Sequence, residues 1–150
     1  MKALWFLFLM GGVLNFSDSN AQTTPVALGV RISSSAPVIN HSVSLRYYMN
    51  ENHAIEGLLS FDPLAIGALY EAYRTLGAEG LNWFYGGGVY TSFKKPVNAG
   101  LQGIVGLDYN FPGLPLNLSI DWKPELSLVH TVNFEPAALG VSARFLLNRK

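Results

Sequence analysis

The stretch GLPLNLSIDW alternates strictly from Leu116 onward, with Leu116, Leu118, Ile120 and Trp122 on one face and Asn117, Ser119 and Asp121 on the other. A period of two marks a β-strand with one apolar and one polar face. Read the same way, the chain yields eight alternating segments, at 25–33, 42–49, 53–61, 64–74, 81–93, 100–110, 116–122 and 137–147. Breakers separate them: NEN before His53, TLGAEG before Leu81 and FPGLP before Leu116 at one end, with SAPVINH, DP, KKPVNAG and PELSLVHTVNFEP at the other. Eight is an even number, so both termini fall on one side of a closed sheet, with the second, mostly longer set of connections on the opposite side.

Which face meets water is decided by what the two phases contain. Arg31, Arg46, Glu56, Glu71, Asp108, Asp121, Lys123 and Arg144 all fall on the polar phase, alongside many Gly, Ala and Ser. Small residues suit the crowded lumen of a narrow barrel. The aromatics of the apolar phase gather towards segment ends: Tyr47, Tyr70, Trp83, Tyr85, Tyr109 and Phe145 near one rim, Phe61, Phe93 and Trp122 near the other. Two aromatic girdles around an apolar band belong to a membrane barrel. The competing arrangement, a lipocalin-like soluble barrel or sandwich, puts the apolar phase inside. The expected fold is therefore all-β: an eight-stranded antiparallel up-and-down transmembrane β-barrel, apolar face to lipid, with the eight charged residues as a structural network in the lumen.

The N-terminus reads as a signal peptide over residues 1–21: Lys2, then the apolar ALWFLFLMGGVL, then SNA before Gln22. The apolar run is short for a membrane helix, which needs roughly 20 residues. The barrel domain is then 22–150. Losing Lys2 and Asp18 takes the chain from ten basic and ten acidic residues to nine of each. With no basic stripe, nucleic acid is not an expected partner. Charged residues are 13% of the chain, against about a quarter in soluble domains. There is no cysteine, hence no disulfide and no thiolate metal site.

The runs NENHAIEG, LNWFYGGGVY, AGLQGIVGLDYNFPGLPLNLSIDWKPEL and ALGVSARF together resemble the small outer-membrane β-barrel proteins of Bacteroidota. These are similar in build to eight-stranded barrels of the outer-membrane protein A and X kind. The resemblance covers nearly all of the mature chain and is most specific between Leu81 and Lys123. It implies an outer-membrane location, with outer-membrane lipids and the barrel-assembly machinery as partners, and a monomer. The chain departs from the pattern at its end, where LLNRK follows Phe145 and no terminal aromatic stands.

Candidate chemistry is thin. His41, His53 and His130 sit in or beside connections, and NHSVS and HTVNFE offer Ser, His and Glu as hydrolase parts without a telling spacing. GGGVY lacks the Lys and Ser/Thr of a phosphate loop; Gly86 and Gly88 are read as making room for a neighbouring side chain. The expectation is a non-enzymatic barrel, without cofactor or metal, that supports the envelope or presents loops, with 125–135 as the best contact surface; the alternative is a lipid-modifying or small-ligand-binding barrel. A three-residue turn at 50–52 pairs Met49 with His53, which sets Tyr47 opposite Ile55 and Arg46 opposite Glu56.

Overall fold

The structure, a computed structural model, describes residues 25–34 and 37–147; the expected signal segment and the tail 148–150 lie outside them. The alternating segments become β1 (Val26–Ser33), β2 (Ser42–Asn50), β3 (His53–Phe61), β4 (Leu64–Thr75), β5 (Leu81–Ser92), β6 (Ala99–Asn110), β7 (Leu116–Trp122) and β10 (Leu139–Leu147), with two three-residue strands between the last two, β8 (Glu125–Ser127) and β9 (Asn133–Glu135). Each of β1 to β7 pairs antiparallel with its chain neighbour, and β10 closes the ring by pairing with both β7 and β1. The fold is a closed, eight-stranded up-and-down barrel. Its build is that of the outer-membrane protein A and X kind.

Pairing partners followed around the ring climb the wall. Val26, at the start of β1, leads through Tyr47, Ile55, Tyr70 and Gly87 to Gly103, well inside β6. The strands therefore tilt steeply, by roughly 35–45°, as closure of so few strands requires. Arg46 stands opposite Glu56 and Tyr47 opposite Ile55, as the sequence predicts. The turn itself differs: Asn50 pairs with His53 across a two-residue link, and a bulge after Tyr48 absorbs the extra residue. Asn50 stabilises it by accepting the Asn52 N–H on its side chain at 2.8 Å.

The stretch read as the last outer loop is a second finding. β8 continues the wall beyond Pro124, keeping the β7 register against β6, and hydrogen-bonds to β9 as a hairpin above the rim. Between β9 and β10 the register slips by one residue around Pro136 to Ala138. The two prolines, which cannot donate to a ladder, break what is otherwise one wall strand on each side. One consequence concerns Trp122, expected at the upper girdle. It pairs with Val105 in the middle of β6, and Phe134 on the hairpin stands nearer the rim. Its indole N–H donates to the Pro136 carbonyl at 2.6 Å, so no polar hydrogen is left bare on an apolar face.

Inward residues alternate with outward ones, and the inward set is buried. Between polar layers lies an apolar core of Leu58, Leu69, Phe84, Tyr90 and Ile104, joined by Ile39 from the β1–β2 connection. Glycines set how closely things pack. A Cβ on Gly140 would meet the Arg31 guanidinium, so this glycine makes room for a side chain; one on Gly106 would meet the Ile120 carbonyl first and the Phe84 ring next, so there backbone and side chain both need the space. Gly86 and Gly88 do not, contrary to expectation: a Cβ there would lie 2.0 Å from the Tyr70 carbonyl oxygen and 1.7 Å from that of Ala68. What needs the space is the backbone of β4. Gly80 is required twice over, by its φ of 80° and by the Asn110 carbonyl 2.1 Å from a would-be Cβ.

The glycine geometry is testable by unfolding in detergent. Gly88→Ala is expected to destabilise the barrel by about 1–3 kcal/mol through overpacking against fixed backbone. Gly57→Ala, whose Cβ meets nothing nearer than 3.9 Å, is expected to stay within about 0.5 kcal/mol. Equal effects would show that backbone approach is not what holds position 88 as glycine.

Candidate functional site

Charged side chains inside a narrow barrel have left water, so each needs partners. All eight charged residues singled out from the sequence are buried, and Glu125 with them. They form three groups along the lumen.

The largest lies towards the termini and centres on Arg46 of β2. Its guanidinium reaches three carboxylates on three other strands: Glu56 of β3 at 3.4 Å, Glu71 of β4 at 3.0 Å and Asp108 of β6 at 2.9 Å. The rings of Tyr73 and Phe84 lie 5.5 and 5.3 Å from its Cζ, within cation–π range. The Tyr73 hydroxyl donates to Glu71 at 2.6 Å. Glu56 is shared. Arg144 of β10 binds its other oxygen at 2.5 Å, and the Ser44 hydroxyl donates to that same oxygen. Arg144 also donates to Asn117 at 3.2 Å and Ser119 at 2.9 Å on β7.

Midway up, Arg31 of β1 crosses β10 to pair with Asp121 of β7 through two hydrogen bonds, at 3.1 and 2.6 Å. Gly140, paired with Asp121 on one side and with Ser33, two residues along from Arg31, on the other, leaves the space the guanidinium fills. The arrangement is side-on and bidentate, the strong geometry for this pair.

The third group closes the loop end. Lys123 pairs with Glu125 at 2.8 Å and donates to Gln102 at 3.2 Å; Gln102 in turn donates to the Val89 carbonyl at 3.0 Å. Glu125 accepts two further hydrogen bonds from the β1–β2 connection, the Val38 N–H at 2.6 Å and the Ile39 N–H at 3.0 Å. Ile39 is wholly buried, Pro37 is buried beside it, and Asn40 accepts the Ser60 hydroxyl at 3.2 Å. Tyr90 meets Ser127 at 2.7 Å, and Asn98 donates to that Ser127 at 3.0 Å. The chain therefore caps its own mouth.

Glu125, Tyr73 and the capping segment were not singled out from the sequence. Glu125 was legible in principle, because the inward phase runs on through Lys123, Glu125 and Ser127 past Pro124. The cap has no periodicity and left no such signal.

The three histidines are dispersed. His41 accepts the Ser33 N–H at 3.3 Å at the loop end, His53 stacks on Tyr70 at the opposite end, and His130 sits exposed at the hairpin tip with a φ of 72°. Among the described residues no three His, Cys, Asp or Glu side chains are grouped to hold a metal ion.

The Arg31–Asp121 pair offers a clean double-mutant cycle. Arg31→Met is expected to cost roughly 3–5 kcal/mol, because Asp121 is left buried and uncompensated. Adding Asp121→Leu is expected to recover most of that loss in the same unfolding assay. Simple additivity of the two losses would mean that the pair is solvated and not braced across β10.

Compared with known proteins, the chain matches no protein-family model and no curated protein, so its role has to be read from its own side chains.

Proposed function

We propose that the protein is a non-enzymatic integral outer-membrane β-barrel, of the small Bacteroidota kind its sequence resembles, that supports the envelope or presents surface loops. One observation carries this reading: the outside of the closed wall is apolar on every strand. Val30 is 51% exposed, Ile32 62% and Leu139 68%, and the outward rows of Leu45, Ile55, Ile66, Val89, Leu107 and Ile120 continue the surface around the ring. Exposed apolar area on this scale is what lipid covers and water does not.

The ends of the wall support the same reading. Near the termini, the outward aromatics pair up: Trp83 stacks on Tyr85 at 5.1 Å and Tyr109 meets Phe111 edge-on at 4.8 Å. Near the loops stand Phe61, Phe93 and Phe134. Lipids and the assembly machinery are then the expected partners, and a single chain satisfies the whole ladder, in keeping with a monomer. An eight-stranded lumen packed with side chains is not a pore. Structural bracing accounts for the lumen charges, since each bridges strands instead of lining a path. A small-ligand-binding role is the second reading, favoured by the capped mouth.

Fractionation with electrophoresis before and after boiling tests the proposal: a heat-shifted band in the outer membrane is expected, and recovery as a soluble protein without the shift would sink it. Val30→Arg, which puts a guanidinium on the outer face midway along β1, is expected to weaken insertion by roughly 2–4 kcal/mol, while Val30→Leu is neutral. Equal behaviour of the two variants would mean that this face does not meet lipid.

A further inference from the structure

We propose that the loop-side mouth of the barrel is a binding site for a short aliphatic peptide, occupied in this structure by the protein's own Val38 and Ile39. The inference deepens the small-ligand reading of the mouth and needs only the closed barrel.

The contacts have the form of a ligand in a site. Glu125 uses its two carboxylate oxygens on two consecutive backbone N–H groups, which recognises a peptide backbone and not a particular side chain. Beside it, the Ile39 side chain is wholly buried and joins the apolar cluster inside the barrel, whose members include Leu58, Leu69, Tyr90 and Ile104 from four different wall strands; that cluster is its socket. The residue after it is held through a side-chain amide by Ser60. From Pro37 to Asn40 the segment joins no strand ladder. What holds it is a carboxylate, an aliphatic socket and a hydroxyl, all supplied by the wall.

The receptor half is also held from the wall side. Glu125 is fixed by Lys123, Lys123 by Gln102, and Gln102 by backbone carbonyls of β4 and β5 at 3.4 and 3.0 Å. Such preorganisation lowers the cost of binding a replacement occupant. Nearby, Asn98 Oδ1 is buried and has no hydrogen-bond partner, although the amide's nitrogen is anchored to the Ser127 that also meets Tyr90. A longer peptide has a further acceptor there. An alkyl chain alone would fill the socket but leave Glu125 Oε2, which takes the Val38 N–H and not Lys123, without a donor, which is unfavourable in a buried site. The occupant must therefore bring a backbone N–H as well as an aliphatic side chain. Because the resident segment is tethered, it competes at high effective concentration, and an outside peptide binds best once the segment is weakened.

Isothermal calorimetry on the full chain folded in detergent tests this, with acetyl-Pro-Val-Ile-Asn-amide as the probe. The variant Val38→Gly with Ile39→Gly, shown to be folded by its heat shift, is expected to bind at least about tenfold more tightly than the unmodified chain. Adding Glu125→Gln is expected to weaken that binding about tenfold or more, since one carboxylate acceptor becomes an N–H donor facing an N–H. Acetyl-Pro-Gly-Gly-Asn-amide is expected not to bind. A folded, vacated barrel that ignores the aliphatic peptide would overturn the proposal, as would binding indifferent to Glu125→Gln or matched by hexanol. Should the double-glycine variant not fold, Ile39→Ala makes the same comparison. Membrane location does not enter these measurements, so their failure is distinct from failure of the fractionation test.

Discussion

Closing a sheet of only eight strands leaves an interior just wide enough for side chains, and most of this structure follows from that constraint. Every inward residue is desolvated whether it is polar or not. Among the described residues the fully buried charges are four cations, Arg31, Arg46, Lys123 and Arg144, and five carboxylates, Glu56, Glu71, Asp108, Asp121 and Glu125. Near-balance of sign is what makes such an interior tolerable, since an unpaired buried charge costs several kcal/mol. Long side chains then become cross-braces: Arg46 joins β2 to β3, β4 and β6, Arg144 joins β10 to β2, β3 and β7, and Arg31 joins β1 to β7. Even β5 takes part, because Phe84 lies against the Arg46 guanidinium.

Why charges hold these places, where apolar residues would fill the same volume, is answered by register. Alternation forbids a slip by one residue, which would turn every side chain to the wrong face, but it is blind to a slip by two. Such a slip between β2 and β3 would set Arg46 against Ala54 or Leu58 in place of Glu56, keeping the faces right and stranding the charge. The Arg31–Asp121 pair does the same for β1, β10 and β7, where Gly140 supplies a gap at one height only. Apolar filling would accept either register. The charges therefore select among barrels that the hydrophobic pattern leaves equivalent.

The same division explains what was legible in the sequence. Strand positions and the inward set follow from a period of two, because each is a statement about faces; the Arg46–Glu56 pairing needs the turn length as well, and the structure reaches the same register through a two-residue link and a bulge in place of a three-residue turn. Several features are not statements about faces. The β8–β9 hairpin hides behind Pro124 and Pro136, which read as loop punctuation although the inward phase continues through Lys123, Glu125 and Ser127. Trp122 stands at the end of the periodic run in the sequence, but the wall continues past it through β8. Gly86 and Gly88 looked like cavities for side chains, and only the path of the β4 backbone shows otherwise. The capping segment was least legible, because its position depends on a carboxylate 86 residues away from Ile39.

The two ends of the lumen are consequently closed in different ways. Towards the termini the closure is wall to wall: each partner in the Arg46 and Arg144 network is part of a strand, so opening it means breaking the ring. Towards the loops the wall contributes the Glu125 acceptors, an apolar socket and the donating Ser60 hydroxyl, and their partners come from a connection outside the ladder. That connection contributes no rung to any strand pair. Bracing and capping are thus separated along one axis, with strand-to-strand charges at one end and a segment outside the ladder at the other.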